Sequence, residues 1–148
     1  MNIKMKVAFW LYVVGAVLPG FVFGAIYLFR GEFMPYHAVA VGMAWSEVPH
    51  PFQILTLALL KGVGGLWITL AVAQLVLLLV PFRHGARWAL WTVPSLALLT
   101  YIANANAMAY VTLNTPAVPP WYVVAFATAC IIVGAMLSIP SQAKAGGA

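Results

Sequence analysis

Four long runs of apolar residues dominate the chain, separated by shorter segments that are polar or rich in proline. The runs cover residues 7–29, 52–80, 88–110 and 121–139. Each has about the 20 residues that a helix needs to cross the hydrocarbon core of a bilayer. A helix satisfies its own backbone hydrogen bonds in lipid, whereas a β-barrel would show short alternating segments. The pattern therefore predicts an all-α membrane protein, with a single four-helix transmembrane domain over residues 1–139.

The first run follows Lys4 and Lys6, and Val22-Phe23-Gly24 resembles a weak cleavage site, as in a signal peptide. However, the run stays apolar over residues 7–29, which is longer than the roughly 7–15 residues of a signal-peptide core. We therefore interpret it as a retained first helix.

The first connection, residues 30–51, is the longest and carries both acidic residues of the chain, Glu32 and Glu47. A short helix near residues 38–45 would lie on the membrane surface because it is apolar and contains Trp45. We expect this helix to cover the end of the bundle.

The distribution of basic residues predicts the orientation. Most of them lie before the first run, between the second and third runs, or after the fourth: Lys4, Lys6, Arg83, Arg87 and Lys144. The positive-inside rule then places both termini and the connection 81–87 in the cytoplasm. The long first connection and the uncharged third connection, 111–120, lie outside. We expect the small, polar segment 140–148 to be a flexible cytoplasmic tail.

Composition supports the membrane prediction and excludes other classes. Hydrophobic residues make up 65% of the chain and charged residues 6%, too few charges to cover the surface of a soluble domain. The net charge of +5 comes from basic residues spread along the chain, so we expect no nucleic-acid partner. Cys130 is the only cysteine, which excludes an intramolecular disulfide and is typical of a small buried hydrophobe.

Polar residues concentrate in the outer halves of the second and third predicted helices and in the first connection. Unpartnered polar groups are costly in hydrocarbon, so we expect them to face one another or water in a shallow cavity open to the outside. The candidate ligand-binding residues are His37, Trp45, Glu47, His50, Gln53, Lys61, Tyr101, Asn104 and Asn106.

Lys61 is the only charged residue within the four runs. A cation inside a membrane span is by default a functional hypothesis, and Glu32 and Glu47 are its natural partners. The alternative is that Lys61 extends to the membrane surface or forms a structural ion pair, because glycines follow it and the remaining run is short. The sequence leaves both interpretations open.

His37, Glu47 and His50 are residue types that could bind a metal, and Glu47 and His50 have the spacing of a helical Glu-x-x-His pair. Pro49 and Pro51 disfavour a regular helix through that segment, and no cysteine ligand accompanies it. We therefore predict no metal site. The sequence has no phosphate-binding glycine loop, no Cys-x-x-Cys and no haem-ligating histidine pair, so we expect no cofactor.

The first helix contains Gly20-x-x-x-Gly24, a pattern that lets membrane helices approach closely. Pro19 precedes it and is expected to kink the helix. The pattern predicts close packing within the bundle, and dimerisation through the same face is the alternative.

Several motifs resemble a group of small, four-span bacterial membrane proteins with no assigned activity. They include Met34-Pro35-Tyr36-His37, Leu59-Leu60-Lys61 with Gly64-Gly65, Pro81-Phe82-Arg83 and Pro120-Trp121. The resemblance covers most of residues 30–125, and Lys61 stands where the group has arginine. It implies a multi-pass protein of the bacterial inner membrane and implies nothing about mechanism.

Three functions fit these features. The first is a small binding or accessory protein that holds a lipid-like or other amphipathic ligand in the outer cavity, or supports a larger membrane complex. The second is a small transporter or channel built as a homo-oligomer, which a polar path into the cytoplasmic half would favour. The third is a membrane enzyme with Lys61, Glu47 and His37 as acid–base groups, which would require these residues to converge. Membrane lipids are the expected surroundings in each case.

Overall fold

The structure, a computed structural model, describes residues 1–143, with side chains to residue 139. Its helices are α1 (Ile3–Phe29), α2 (Pro35–Val41), α3 (His50–Phe82), α4 (Arg87–Asn114) and α5 (Trp121–Ala143), with a turn of 3-10 helix at Trp45–Glu47. No strand occurs in this part of the chain. The helices α1, α3, α4 and α5 are long and apolar enough to cross a membrane. The prediction of an all-α chain with four helices that could span a membrane is therefore confirmed.

The short helix of the first connection lies slightly earlier than expected. We predicted it near residues 38–45, whereas α2 covers Pro35–Val41. Pro35 favours the helix start because its missing N–H is not needed in the first turn. Gly42 ends the helix in the left-handed conformation, with a φ of 75°. These two residues determine the bounds of α2 more strongly than the apolar pattern does.

The last helix continues beyond the predicted end of the transmembrane domain. It reaches Ala143, four residues into the segment 140–148 that we expected to be a flexible tail. The remaining residues, 144–148, lie outside the described part of the chain, so flexibility of the tail stays a prediction.

The four long helices run alternately in opposite directions. The loop end of the bundle carries the connections 30–49 and 115–120, and the basic end carries the N-terminus and the turn 83–86. Helix α1 packs closely against both α3 and α5, and α4 packs against α5. By contrast, α3 and α4 approach each other sparsely along their length. This unequal packing leaves space between α3 and α4.

The basic end is tightly packed. Met5, Tyr12, Leu78 and Phe82 are each at most 1% exposed. The Tyr12 ring meets the edge of Phe82 with 5.6 Å between ring centroids, and its hydroxyl lies 3.2 Å from the Ser138 Oγ. This packing closes the bundle at the basic end.

Helices α1 and α3 are in backbone contact through glycine. A Cβ atom placed on Gly64 would lie 2.7 Å from both the carbonyl oxygen of Gly24 and the amide nitrogen of Leu28. A Cβ on Gly24 would lie 2.6 Å from the Cγ1 of Ile68. The Gly20-x-x-x-Gly24 pattern is therefore used for packing within the chain, the first of the two interpretations that we considered.

Tyr101 compensates for a proline in α1. Pro19 has no N–H, so the carbonyl of Gly15, four residues earlier, lacks that intrahelical donor. Helix α1 has a π-helical turn at Val13–Val17, and the Tyr101 hydroxyl of α4 donates to the Gly15 oxygen at 2.8 Å. Tyr101 is 4% exposed. It therefore joins α1 to α4 inside the bundle.

We expect Gly64→Ala to lower the free energy of unfolding by about 1–3 kcal/mol, because the new methyl group would press against the backbone of α1. Unfolding in detergent, followed by circular dichroism, measures this change. Gly62→Ala is the matched control, since a Cβ there meets no atom within 4 Å. Equal stability of the two variants would contradict a tight contact between α1 and α3.

Tyr101→Phe removes one hydroxyl and leaves the buried Gly15 carbonyl without its donor. We expect a loss of about 1–3 kcal/mol in the free energy of unfolding, measured in the same way. Tyr110→Phe is the control, because the Tyr110 side chain is 72% exposed. The loss should shrink in a Pro19→Ala background, where residue 19 regains an N–H. An undiminished loss there would show that Tyr101 acts through packing alone.

Candidate functional site

A cavity of about 470 Å³ lies between α3 and α4, in the half of the bundle nearer the loop end. Helix α3 lines it with residues between Leu60 and Leu70, and α4 with residues between Thr100 and Val111. Tyr27, Tyr36 and His37 complete the wall at the loop end. We call this space the loop-end cavity. Its volume is within the range of about 300–1,000 Å³ that is typical of small-molecule sites.

The loop-end cavity is elongated and opens sideways. From Leu60 to Leu70, a helical rise of about 1.5 Å per residue gives a length of about 15 Å. Val63 and Leu66 line the cavity, yet they are 42% and 66% exposed on the outside of the bundle. The opening therefore lies between α3 and α4, on a side that the surrounding solvent or lipid reaches.

The polar groups of the cavity lie towards the loop end and on α4. The hydroxyls of Tyr27 and Tyr36 are 3.2 Å apart and form a hydrogen-bonded pair. Asn104 is half-buried, and its amide makes no hydrogen bond to the described part of the chain. Thr100 lies deeper and donates its hydroxyl to the Leu96 carbonyl at 2.9 Å. Asn104 is thus the group with unused hydrogen-bonding capacity, one acceptor and two donors.

His37 is held in the neutral form by its surroundings. Its Nδ1 accepts a hydrogen bond from the Met34 N–H at 3.3 Å, in the first turn of α2. Burial lowers the pKa of His37 below its usual 6.5, and the positive charge of Arg30 lowers it further. Because Nδ1 is an acceptor, the neutral ring carries its proton on Nε2. His37 therefore offers a donor at neutral pH.

Tyr36 also stays uncharged. Burial raises the pKa of the Tyr36 hydroxyl above its usual value, and the hydrogen bond and charge of Tyr27 raise it further. The tyrosine pair at the loop end therefore presents two neutral hydroxyls. The hydrogen bond between the two hydroxyls uses the proton of one tyrosine. The hydroxyl proton of the other tyrosine remains available for donation to a ligand.

The structure brings only part of the predicted set to this cavity. His37 and Asn104 line it, and Tyr101 lies on the same wall of α4 but faces the interior of the bundle. Asn106, two residues beyond Asn104, is exposed, because two residues turn a helix by about 200°. The structure therefore places His37 and Asn104 at the loop-end cavity and leaves Asn106 outside it.

Three of the predicted residues organise the first connection instead, and a fourth, His50, lies at the start of α3. The Glu47 carboxylate accepts the Ala44 N–H at 2.9 Å. The Gln53 amide donates to the Trp45 carbonyl at 2.8 Å, and the Trp45 ring meets the edge of Phe33 with 4.9 Å between centroids. His50 is exposed in the first turn of α3. These contacts hold the connection in shape and do not reach the loop-end cavity.

Lys61 does not meet the acidic residues that we expected as its partners. Glu32 pairs with Arg30 at 3.1 Å, and Glu47 caps its own turn. Lys61 is exposed on α3, and no ion pair involving it occurs among the described residues. Its neighbour Leu60 lines the cavity, and one residue turns the helix by about 100°, which points Lys61 away from that wall.

Residues 1–143 contain no group of three or more histidine, cysteine or acidic side chains that could hold a metal ion. His37 and His50 lie on different elements, and the Glu47 carboxylate is engaged with the backbone. The three residues considered as metal ligands are therefore not assembled in the described structure.

Sequence reasoning missed three aromatic residues that shape the cavity: Tyr27, Tyr36 and Trp67. Trp67 packs against Tyr101 and Phe23, with ring centroids 6.0 Å and 6.4 Å apart. A usable signal was present, because tryptophan in spanning helices favours the membrane surface and Trp67 lies well inside α3. A tryptophan at this position was therefore a signal that the apolar pattern alone did not use.

A second cavity, distinct from the loop-end cavity and of about 580 Å³, lies between Met34 and the first turn of α5. Prolines and aromatic rings line it, and it contains none of the predicted candidate residues. The loop-end cavity is the better candidate site because it combines an apolar wall with the unpaired amide of Asn104.

No family model matches this chain, and no curated protein or solved structure is significantly similar to it. The resemblance to a group of small four-span bacterial proteins therefore stays a prediction, and the site has to be interpreted from its own chemistry.

The lowered pKa of His37 makes stability depend on pH. The hydrogen bond from Met34 requires neutral His37, so its contribution is complete above pH 6.5 and is lost as the pH falls through the lowered pKa of the folded state. We expect the free energy of unfolding to fall across this window in the wild type. The His37→Gln variant supplies an amide oxygen as acceptor at every pH. Its free energy of unfolding should therefore fall less over the same window. Parallel curves for the two proteins would contradict this role.

Proposed function

We propose that this chain is a small multi-pass membrane protein that binds a lipid-like or other amphipathic ligand in the loop-end cavity. The observation that carries the proposal is the half-buried Asn104 amide, which has no hydrogen-bond partner in the described chain and faces a cavity of about 470 Å³. A polar group inside a membrane span is expensive to leave unpaired. A ligand with a polar head would satisfy it.

The distribution of side chains around the cavity matches a ligand with two unlike ends. The polar groups Tyr27, Tyr36, His37 and Asn104 lie towards the loop end, while Leu66 and Leu70 continue the wall towards the middle of the bundle. The sideways opening would let an apolar tail enter from the bilayer without crossing water. This arrangement suits a molecule that is already dissolved in the membrane.

The chemistry of the wall favours an uncharged head group. None of the side chains that line the cavity carries a charge at neutral pH, because burial and Arg30 keep His37 neutral. Asn104 offers a donor and an acceptor, and His37 Nε2 and the tyrosine pair offer donors. A head bearing carbonyl or hydroxyl oxygen, such as a quinone or an acylglycerol, fits these groups better than a phosphate or an ammonium does.

We further propose that the loop end faces the outside of a bacterial inner membrane and that both termini lie in the cytoplasm. The basic residues of the termini and of the turn 83–86 support this orientation through the positive-inside rule. Lys61 lies about 30 Å along α3 from Phe82, which is about the thickness of the hydrocarbon core. With the basic end at the inner surface, Lys61 reaches the outer surface. This favours its interpretation as an interfacial residue.

The alternatives receive less support from the geometry. A transport path through one copy of the chain would have to pass the basic end, where Tyr12, Leu78 and Phe82 are fully buried. An acid–base site would need contact among Lys61, Glu47 and His37, and their observed partners in the described chain are elsewhere or absent. We therefore favour binding, either by the single chain or within a larger membrane complex.

Native mass spectrometry of the protein released from mild detergent tests the proposal. We expect wild type to retain a small amphipathic molecule and Asn104→Leu to retain about tenfold less, the equivalent of about 1.4 kcal/mol for one lost polar contact. Asn106→Leu is the matched control, because this exposed asparagine lies two residues away on the same helix.

Equal retention by wild type, Asn104→Leu and Asn106→Leu would place the molecule elsewhere on the protein. A wild type that carries no ligand, and that takes up neither a short-chain quinone nor a diacylglycerol added in excess, would contradict the proposed function.

A further inference from the structure

Gln74 of α3 is a buried polar residue that the loop-end cavity does not use. Its side chain is 3% exposed, and its Nε2 donates to the Val93 carbonyl of α4 at 3.2 Å. Its Oε1 is fully buried and has no hydrogen-bond partner in the described part of the chain. Reversing the amide would set this oxygen against the Val93 carbonyl oxygen, which is repulsive. The unpaired group is therefore an acceptor.

A small chamber adjoins Gln74 in the interior of the bundle. It holds about 10 Å³, close to the space of one water molecule, and α1 contributes Ala16 and Gly20 to its wall. Trp67, Leu70 and Thr100 line both this chamber and the loop-end cavity. The chamber is thus the inner neighbour of that cavity, separated from it by these three side chains.

Three polar residues of the chamber, Gln74, Thr100 and Tyr101, present acceptors. The Thr100 hydroxyl donates its proton to the Leu96 carbonyl, and the Tyr101 hydroxyl donates to the Gly15 carbonyl at 2.8 Å. Both oxygens keep only lone pairs for a further partner, and Gln74 adds its unpaired Oε1. An O–H or N–H group in the chamber would therefore find an acceptor in Gln74 Oε1.

We infer that this chamber is a binding site for one hydrogen-bond donor of the size of a water molecule, which donates to Gln74 Oε1. The donor is either a bound water or the terminal O–H or N–H of a molecule seated in the loop-end cavity. A buried water with two or three polar partners is a normal part of a folded protein. At this position it links α3 to α4 where direct packing between them is sparse. The inference stands independently of the proposed ligand.

Nuclear magnetic resonance of the full-length wild type tests the inference. The chain has three glutamines, Gln53, Gln74 and Gln142, so ¹⁵N labelling of their side-chain amides gives few signals. The variants Gln53→Asn and Gln142→Asn each remove one signal and identify that of Gln74 without altering the chamber. Magnetisation transfer from water to the Gln74 Nε2 protons is then measured, and its sign in the rotating frame separates bound water from hydrogen exchange.

The measurement is made on the protein as purified and again after delipidation, with the bound molecules followed by native mass spectrometry. A water signal at Gln74 in both samples identifies water as the donor. A signal that emerges only after delipidation identifies a ligand group that had displaced the water. Both results support the site. Absence of a water signal in both samples would overturn it and leave Gln74 Oε1 unpaired in a dry chamber.

Discussion

The backbone contact between α1 and α3 at Gly24 and Gly64 determines much of the remaining architecture. A Cβ on Gly64 would lie 2.7 Å from backbone atoms of α1, so the two helices are as close as glycine allows. Helix α1 also packs against α5, and α5 in turn packs against α4. With α3 drawn to α1 and α4 held by α5, the space between α3 and α4 is left incompletely filled. The loop-end cavity occupies that space.

Two hydrogen bonds maintain the interior where proline and cavities interrupt it. Tyr101 supplies the Gly15 carbonyl with the donor that Pro19 lacks, and Gln74 reaches across to the Val93 carbonyl of α4. Each connects α4 to one of the two helices that meet through glycine. Backbone groups in lipid have no water as a hydrogen-bond partner. Side-chain hydrogen bonds of this kind are therefore needed wherever the hydrogen bonds within a helix or the packing between helices are incomplete.

The two amides of the α3–α4 region differ in a way that separates their roles. Asn104 is half-buried, lines a cavity large enough for a ligand and makes no hydrogen bond in the described chain. Gln74 is almost fully buried, and half of its amide is already committed to Val93. The first is suited to a ligand that comes and goes. The second is suited to one small hydrogen-bond donor.

Residues that were predicted as a single polar cluster belong to three environments. His37, from the first connection, and Asn104, from α4, both line the loop-end cavity. Lys61, Asn106 and Glu47 were grouped with them on depth alone, yet they point to other faces or cap local turns. The face that a residue presents depends on how each helix is rotated in the bundle. The apolar runs are hydrophobic on nearly all sides, so they carry little information about that rotation.

The amino-acid sequence by itself determined the class of protein: four apolar helices, each long enough to span a membrane. These features follow from the hydrocarbon thickness and from backbone hydrogen bonding, which act on each segment separately. Only the tertiary structure decided that Tyr101 supports α1, that Lys61 stays outside the cavity, and that Asn104 and Gln74 are left with unused hydrogen-bonding capacity. Those outcomes depend on which helices come into contact, and in lipid that choice rests on close packing between helices, which no single segment encodes.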